Sequence, residues 1–313
     1  MPQPLNVGDT LTRKFDKILI LDIDNTVFDW VTYYVNCMDA LFKKVEEVTG
    51  VPVDTLAHES KKVFEAQGSI EYPFLIQELP SVIAYYKGNS DKMVAEAVDL
   101  GRIAFKDAAE NHLKPYESVL ETFSTIKEKW PEFPIIALTD APRYVAMWKL
   151  NKLGILHYFD ALYGLSDPKI PTDPENQKAK VAPEILMKHL QQNCFDFKGI
   201  VRTLPEDYEK PGTRGLKTVL MDHEMEGHYD HVLWVGDNLR KDVGLGRRLG
   251  IKSAWARYGT KIDPKVKEAL LTFSPEINVH KNVALDPQSE NSPTPDVVFD
   301  CFSELIPAIE NLI

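Results

Sequence analysis

The most reactive arrangement in the chain is Asp22-Ile23-Asp24-Asn25-Thr26, where two aspartates stand one residue apart. On extended backbone, residues i and i+2 point the same way, so Asp22 and Asp24 can present two carboxylates to one site. Crowded carboxylates repel, and the remedies are a raised pKa on one of them or a divalent cation between them. Taken alone, the pair also fits the opening of a solvated turn. A second acidic group is Gly236-Asp237-Asn238, with Asp242 five residues beyond Asp237. It also fits helix capping, with Asp237 or Asn238 as the N-cap and Asp242 favourable near the helix N-terminus. Thr139 offers a hydroxyl, followed by amides that can bind an anion where a helix begins. Lys210, followed by Pro211 and Gly212, would offset the carboxylates and hold an anionic group as a point charge. Lys217 is the alternative, 20 residues before Asp237 where Lys210 is 27 before it.

The acids and Thr139 share a setting, because each follows a short apolar run or lies close to one, whereas Lys210 sits in a long loop before the Gly236 run. Lys17–Leu21 (KILIL) ends at Asp22, Pro134–Leu138 (PIIAL) at Thr139, His231–Val235 (HVLWV) at Gly236-Asp237, and Asp296–Phe299 at Asp300. Such runs read as buried parallel strands. Helical patterns separate them at Tyr116–Trp130, Arg143–Leu153, Leu239–Leu249 and Phe302–Leu312. The alternation predicts an α/β fold with a Rossmann-like parallel sheet wrapped on both faces, and ligands outside the carboxyl ends of its strands.

Residues 28–113 carry helical periodicity with no strand. One helix spans Phe28–Thr49 and is closed by Gly50, a second ends near Gly68, a third covers Phe74–Tyr86, and a fourth is capped by Ser90 and runs to about His112. The expected organisation is therefore a core of residues 1–27 and 114–313 with an inserted α-helical cap domain, 28–113. Two stretches, near 166–209 and 262–293, read as excursions from that core. The first is loop chemistry followed by a helix at Pro183–Gln192, and the polar residues 286–295 read as a loop.

Composition narrows the partners. Lysine plus arginine total 36 against 47 acids, a net charge of −11 with no long basic run, which excludes a nucleic acid polymer. Three scattered cysteines make no disulfide framework and no paired metal spacing. The N-terminus lacks the apolar stretch of a signal peptide, and no apolar run approaches the roughly 18 residues of a membrane span, so a cytoplasmic protein without membrane contact is expected.

In order along the chain, DIDNT (Asp22–Thr26), the run ending at Thr139, Lys210 before proline, and GDNLRKD (Gly236–Asp242) resemble the haloacid dehalogenase (HAD) superfamily of phosphohydrolases. Leu138–Gly164 looks like that family's second strand, helix and third strand, and the helical insertion looks like its small cap. The resemblance implies that Asp22 is a nucleophile forming an aspartyl phosphate. Asp24 would protonate the leaving oxygen and then activate water. Mg²⁺ would be held by Asp22, Asp237, the main-chain carbonyl of Asp24, and Asp242 directly or through water. Thr139 and Lys210 would bind the phosphoryl group. Asp140 shares that position, where the family often has asparagine, and adds a negative charge beside the phosphate unless it points away.

An acid at Asp24 favours phosphate esters, since dehalogenases and phosphonate-cleaving relatives lack it; a phosphomutase keeps both acids. The implied substrate is a small phosphorylated metabolite, a nucleotide or a sugar phosphate. A phosphoprotein phosphatase with an open site and a non-catalytic binding protein are the other readings. In the cap, Glu71, Tyr72 and Gln77 are substrate candidates, as is Arg143 beyond Thr139. Exposed apolar residues on the cap would permit a homodimer. The stretch Met221–His231, with His223, His228 and His231, reads as a solvated connection rather than a metal site. Gly244–Gly250 reads as the end of a helix rather than a dinucleotide loop.

Overall fold

The apolar run after Lys17 becomes β1 (Ile18–Leu21), buried at all four residues, as a strand covered on both faces must be. The computed structural model of the chain describes residues 16–167, 195–275 and 292–311. Six helices follow β1: α1 (Trp30–Thr49), α2 (Val53–Gln67), α3 (Leu75–Glu78), α4 (Pro80–Tyr86), α5 (Ser90–Met93) and α6 (Asp99–His112). Next come α7 (Val119–Lys129), β2 (Ile135–Pro142), α8 (Arg143–Lys152), β3 (Ala161–Leu165) and β4 (Ile200–Leu204). The remainder is α9 (Arg214–Asp222), β5 (Val232–Gly236), α10 (Gly244–Leu249), β6 (Lys252–Ala256), α11 (Pro264–Phe273), β7 (Val297–Phe299) and α12 (Leu305–Glu310).

Among the described residues, seven strands form one sheet of order β4-β3-β2-β1-β5-β6-β7, parallel throughout. The chain winds one way from β1 to β4 and the other way from β5 to β7, so β1 and β5 flank the point where the order reverses. Open α/β sheets bind ligands at such a point. Leu21 lies opposite both Ala137 of β2 and Val235 of β5, which sets Asp22, Thr139 and Asp237 side by side at one edge.

Two strands escape the hydrophobic pattern. In β4, IVRTL, the apolar run is broken by Arg202, which is buried through an ion pair with Asp222 of α9 at 2.8 Å. This corrects the reading of 166–209 as an excursion, since the segment returns to supply an edge strand. In β6, KSAWA, small residues replace the β-branched ones, yet Ser253–Ala256 are buried. The helix expected at Pro183–Gln192 lies outside the described residues.

The helical layer between β1 and β2 has its ends set locally. Asp29 caps α1, its side chain accepting from the Thr32 N–H at 2.9 Å, and Gly50 closes that helix in the left-handed region, as Gly68 does for α2. The expected helix Phe74–Tyr86 divides into α3 and α4 because Pro80 forces Leu79 into an extended conformation. Asn89, rather than Ser90, caps α5, accepting from the Lys92 N–H. A π-helical turn, Val94–Val98, joins α5 to α6. Helix α11, from the stretch read as a second excursion, packs on α1 and α2, with the Phe273 ring 6.0 Å from Tyr34 and 5.8 Å from Phe42. Among the described residues no helix is long and apolar enough to cross a membrane.

Candidate active site

The main chain fixes the first acid. Asp22 donates its N–H to the Val235 carbonyl at 2.9 Å, extending the pairing of β1 with β5. The chain then turns through Asn25, whose φ is 56°, and the Asn25 side chain accepts the Trp30 N–H at 3.1 Å. A Cβ at Gly259 would lie 1.8 Å from the Asn25 carbonyl oxygen, so only glycine lets the turn after β6 press on this loop.

The end of β5 supplies the next two acids. Asn238 is the N-cap, its side chain accepting the Arg240 and Lys241 N–H groups at 3.0 Å each. Capping is thereby assigned to the amide, and the Asp237 carboxylate faces the pocket. Asp242 accepts the Asn238 N–H at 2.9 Å and packs so tightly on Gly236 that a Cβ there would come within 2.3 Å of its Cγ. Buried Asp22, Asp237 and Asp242 each offer an oxygen within 4.8 Å of the others, the one such trio among the described residues. The Lys210 ammonium stands 2.8 Å from Asp22 and 2.9 Å from Asp242. Lys217 is exposed on α9.

Burial pushes the Asp22 carboxyl up to about 7; Lys210 pulls it down, while Asp242 and Asp24 push it further up. Asp237 is raised well above the usual range by burial and then by Asp242 and Asp22. Three buried carboxylates share one ammonium, which leaves excess negative charge on hard oxygen donors. That donor set fits a divalent cation such as Mg²⁺.

At the end of β2, Thr139 is buried and its hydroxyl accepts the Ala141 N–H at 3.1 Å. Asp140 lines the same pocket, but its carboxylate is not aimed at an anion. One oxygen accepts the Lys210 main-chain N–H at 2.9 Å and the other the Lys241 ammonium at 2.8 Å. The departure from asparagine is thus charge-compensated by Lys241, and Asp140 holds the loop that carries Lys210.

The opposite wall is made differently. Asp24 accepts from the Lys149 ammonium at 3.0 Å, and the same ammonium lies 2.6 Å from Glu71, which also accepts from the Trp30 indole N–H at 3.0 Å. Burial alone would lower the Lys149 pKa, but Asp24 and Glu71 outweigh it and raise it. Burial, with Glu71 adding and Lys149 opposing, raises Asp24. Asp22, Asp24, Thr139, Lys210 and Asp237 line one cavity of about 110 Å³, bordered by Gly68–Glu71 of the helical layer.

Of the substrate candidates, only Glu71 reaches this cavity. The Tyr72 hydroxyl donates to Glu78 at 2.6 Å, Gln77 is buried with no hydrogen-bond partner for its amide among the described residues, and Arg143 pairs with Asp167 at 2.8 and 3.0 Å. The His228 and His231 rings lie 5.7 Å apart and join no trio of ligands among the described residues. Gly250 ends α10 in the left-handed region, as expected. Lys149 and Lys241 escaped the sequence reading because a mid-helix lysine ordinarily reads as solvated. The available signal for Lys149 was its spacing, three residues after Ala146 and four before Leu153, both of which are buried.

The chain is similar to several solved structures. The 2-haloacid dehalogenase from Pseudomonas syringae pv. Tomato DC3000 is 15% identical over 95% of this chain and 99% of its own, with a TM-score of 0.53. A HAD phosphatase from Thermococcus onnurineus is 16% identical over 94% and 97%, with a TM-score of 0.48. The HAD hydrolase YfnB from Bacillus subtilis, bound to magnesium, is 13% identical over 94% and 98%, with a TM-score of 0.46. At 15% identity, the likeness to the first of these speaks for the fold alone. In sequence, no curated protein matches the chain. The model of the haloacid dehalogenase-like hydrolase family matches residues 17–250, most of the chain and every acid and lysine of the pocket. The chain belongs to the haloacid dehalogenase-like hydrolases.

Proposed function

We propose that the chain is a Mg²⁺-dependent phosphatase that hydrolyses a small phosphomonoester through an aspartyl phosphate on Asp22. The observation that carries this reading is the meeting of Asp22 and Asp24 with Thr139 and Lys210 in one small cavity. A halide leaves without a proton, whereas an alkoxide needs one. A second acid two residues from the nucleophile therefore favours ester cleavage over dehalogenation.

In the first step an Asp22 oxygen attacks phosphorus, the ester P–O bond breaks, and Asp24 gives its proton to the departing alkoxide. Burial raises the pKa of this carboxyl, against the opposing pull of Lys149. In the second step the Asp24 carboxylate takes a proton from water, the water oxygen attacks phosphorus, and the Asp22 carboxylate is released. Lys210 and the Thr139 hydroxyl would hold phosphoryl oxygens in both steps. Asp22, Asp237 and Asp242, with the Asp24 carbonyl, would hold the cation, which supplies neutralisation of phosphoryl charge.

Gly68–Glu71 borders the cavity, which favours a small phosphorylated metabolite over a phosphoprotein. The test is phosphate release from nucleotides, sugar phosphates and an aryl phosphate, with Mg²⁺ or chelator and with Asp22→Asn as the blank. Metal-dependent release that disappears in the variant is expected. Failure of the folded, metal-loaded protein to release phosphate from any of them would overturn the reading.

A further inference from the structure

Lys149 is out of place by composition. It lies mid-helix among apolar neighbours with a side chain 0% exposed, and its stem carries the ammonium past the Phe28 ring at 5.8 Å. Burying an ammonium is costly unless carboxylates pair with it, and removing one partner of such a pair is worse than never having formed it. The two partners come from different parts of the molecule. Asp24 belongs to the loop after β1, and Glu71 to the segment between α2 and α3 that borders the cavity. Glu71 is held a second time by the Trp30 indole of α1, and the neighbouring Ile70 carbonyl accepts from the Tyr34 hydroxyl of the same helix, so the tie that Lys149 adds is the charged one to α8. Without the ammonium, Glu71 and Asp24 would face each other as like charges across the mouth of the pocket. Lys149 engages Oδ1 of Asp24, which leaves Oδ2 for exchanging a proton.

We propose that Lys149 is a positioning residue that ties the segment Gly68–Tyr72, through Glu71, to the carboxylate of Asp24, so that proton transfer to the leaving group depends on this segment being seated. The proton-transfer part rests on the role given to Asp24 above; the tie itself does not. Lys149 pairs with the carboxylates of Asp24 and Glu71, and its contribution is to the orientation of the acid.

The consequence is a dependence on the leaving group. A nitrophenolate departs without protonation, whereas an alkoxide does not, and kcat/KM reports the steps up to its departure. For Lys149→Met, kcat/KM for an alkyl phosphate should fall about 100-fold while that for p-nitrophenyl phosphate falls less than about 3-fold. Equal losses on both substrates, or none, would overturn the positioning role. Hydrogen–deuterium exchange tests the tie without turnover, and exchange at residues 68–72 should rise in Lys149→Met. Glu71→Gln, isosteric and free of any buried vacancy, covers the case in which the lysine variant fails to fold. It too should raise that exchange and lower the alkyl-to-aryl ratio by at least about 3-fold. Unchanged exchange in a folded variant would overturn the tie. If the wild type hydrolyses neither ester, the phosphatase reading and the positioning role fall together, and the exchange measurement still decides the tie.

Discussion

The two walls of the pocket each hold acids against a buried lysine, but they are built from different materials. On the core wall the main chain does the placing: Asp22 is pinned to Val235, Asp242 to the Asn238 N–H, and Gly236 admits no side chain between β5 and Asp242. On the facing wall Glu71 is held by side chains alone, through Lys149 and the Trp30 indole. On the proposed reading, groups that must keep their geometry within a fraction of an ångström sit on strand ends, while contact to the variable part of a substrate would fall to a segment that side chains can release. Under the proposed function, this difference would separate phosphoryl chemistry from leaving-group choice.

The sharpest way to break this comparison is to attack the rigid wall. Asp22→Asn should lower turnover by at least about 10⁴-fold while the fold is retained, measured by initial rates and circular dichroism. Retained activity would remove the nucleophile from that wall. Gly236→Ala drives a Cβ into the Asp242 carboxylate. It should raise the Mg²⁺ concentration for half-maximal activity about 10–100-fold and cost about 1–3 kcal/mol of stability. A metal titration that overlays the wild type would mean that the core wall yields.

A smaller effect is expected from pH. Without a cation, Asp22 ionises at about 7 in the folded chain and near 3.8 in the unfolded one, and Asp237 is raised as well. Between those limits the folded state holds more protons, so these carboxylates make stability fall as pH rises. In chelator, the melting temperature should decline from about pH 5 to about pH 8, and Mg²⁺ should restore it most at the upper end. A stability that climbs over this interval, with or without the cation, would contradict the charge crowding. The smallest change should follow Tyr72→Phe, because that hydroxyl bonds Glu78 rather than the cavity. A change in kcat/KM beyond about 3-fold would place it nearer the substrate than it stands.

What could be read from sequence followed the same division. The strand-end acids were legible because β1 and β5 are continuous apolar runs whose last residue marks the sheet edge, and Thr139 was legible for the same reason. β4 and β6 were not, because Arg202 is neutralised by a partner, Asp222, that lies 20 residues away, and because small residues in KSAWA mimic a loop. Lys149 and Lys241 were illegible for a related reason. A buried lysine is defined by its partners, and Glu71 and Asp140 lie 78 and 101 residues away from them. Asp140 appeared as an unwanted charge only while Lys241 was out of view. Arg143 looked like an anion contact until Asp167 claimed it.

The most direct measurement of the central claim is a search for phosphoenzyme in Asp24→Asn. The variant keeps the proposed nucleophile and lacks the proposed base that would release it. Incubated with Mg²⁺ and p-nitrophenyl phosphate, it should carry one acid-stable, hydroxylamine-labile phosphoryl group on the peptide containing Asp22. A phosphoryl group on another residue, or nitrophenolate released in the first turnover with no protein-bound phosphate, would contradict nucleophilic attack by Asp22.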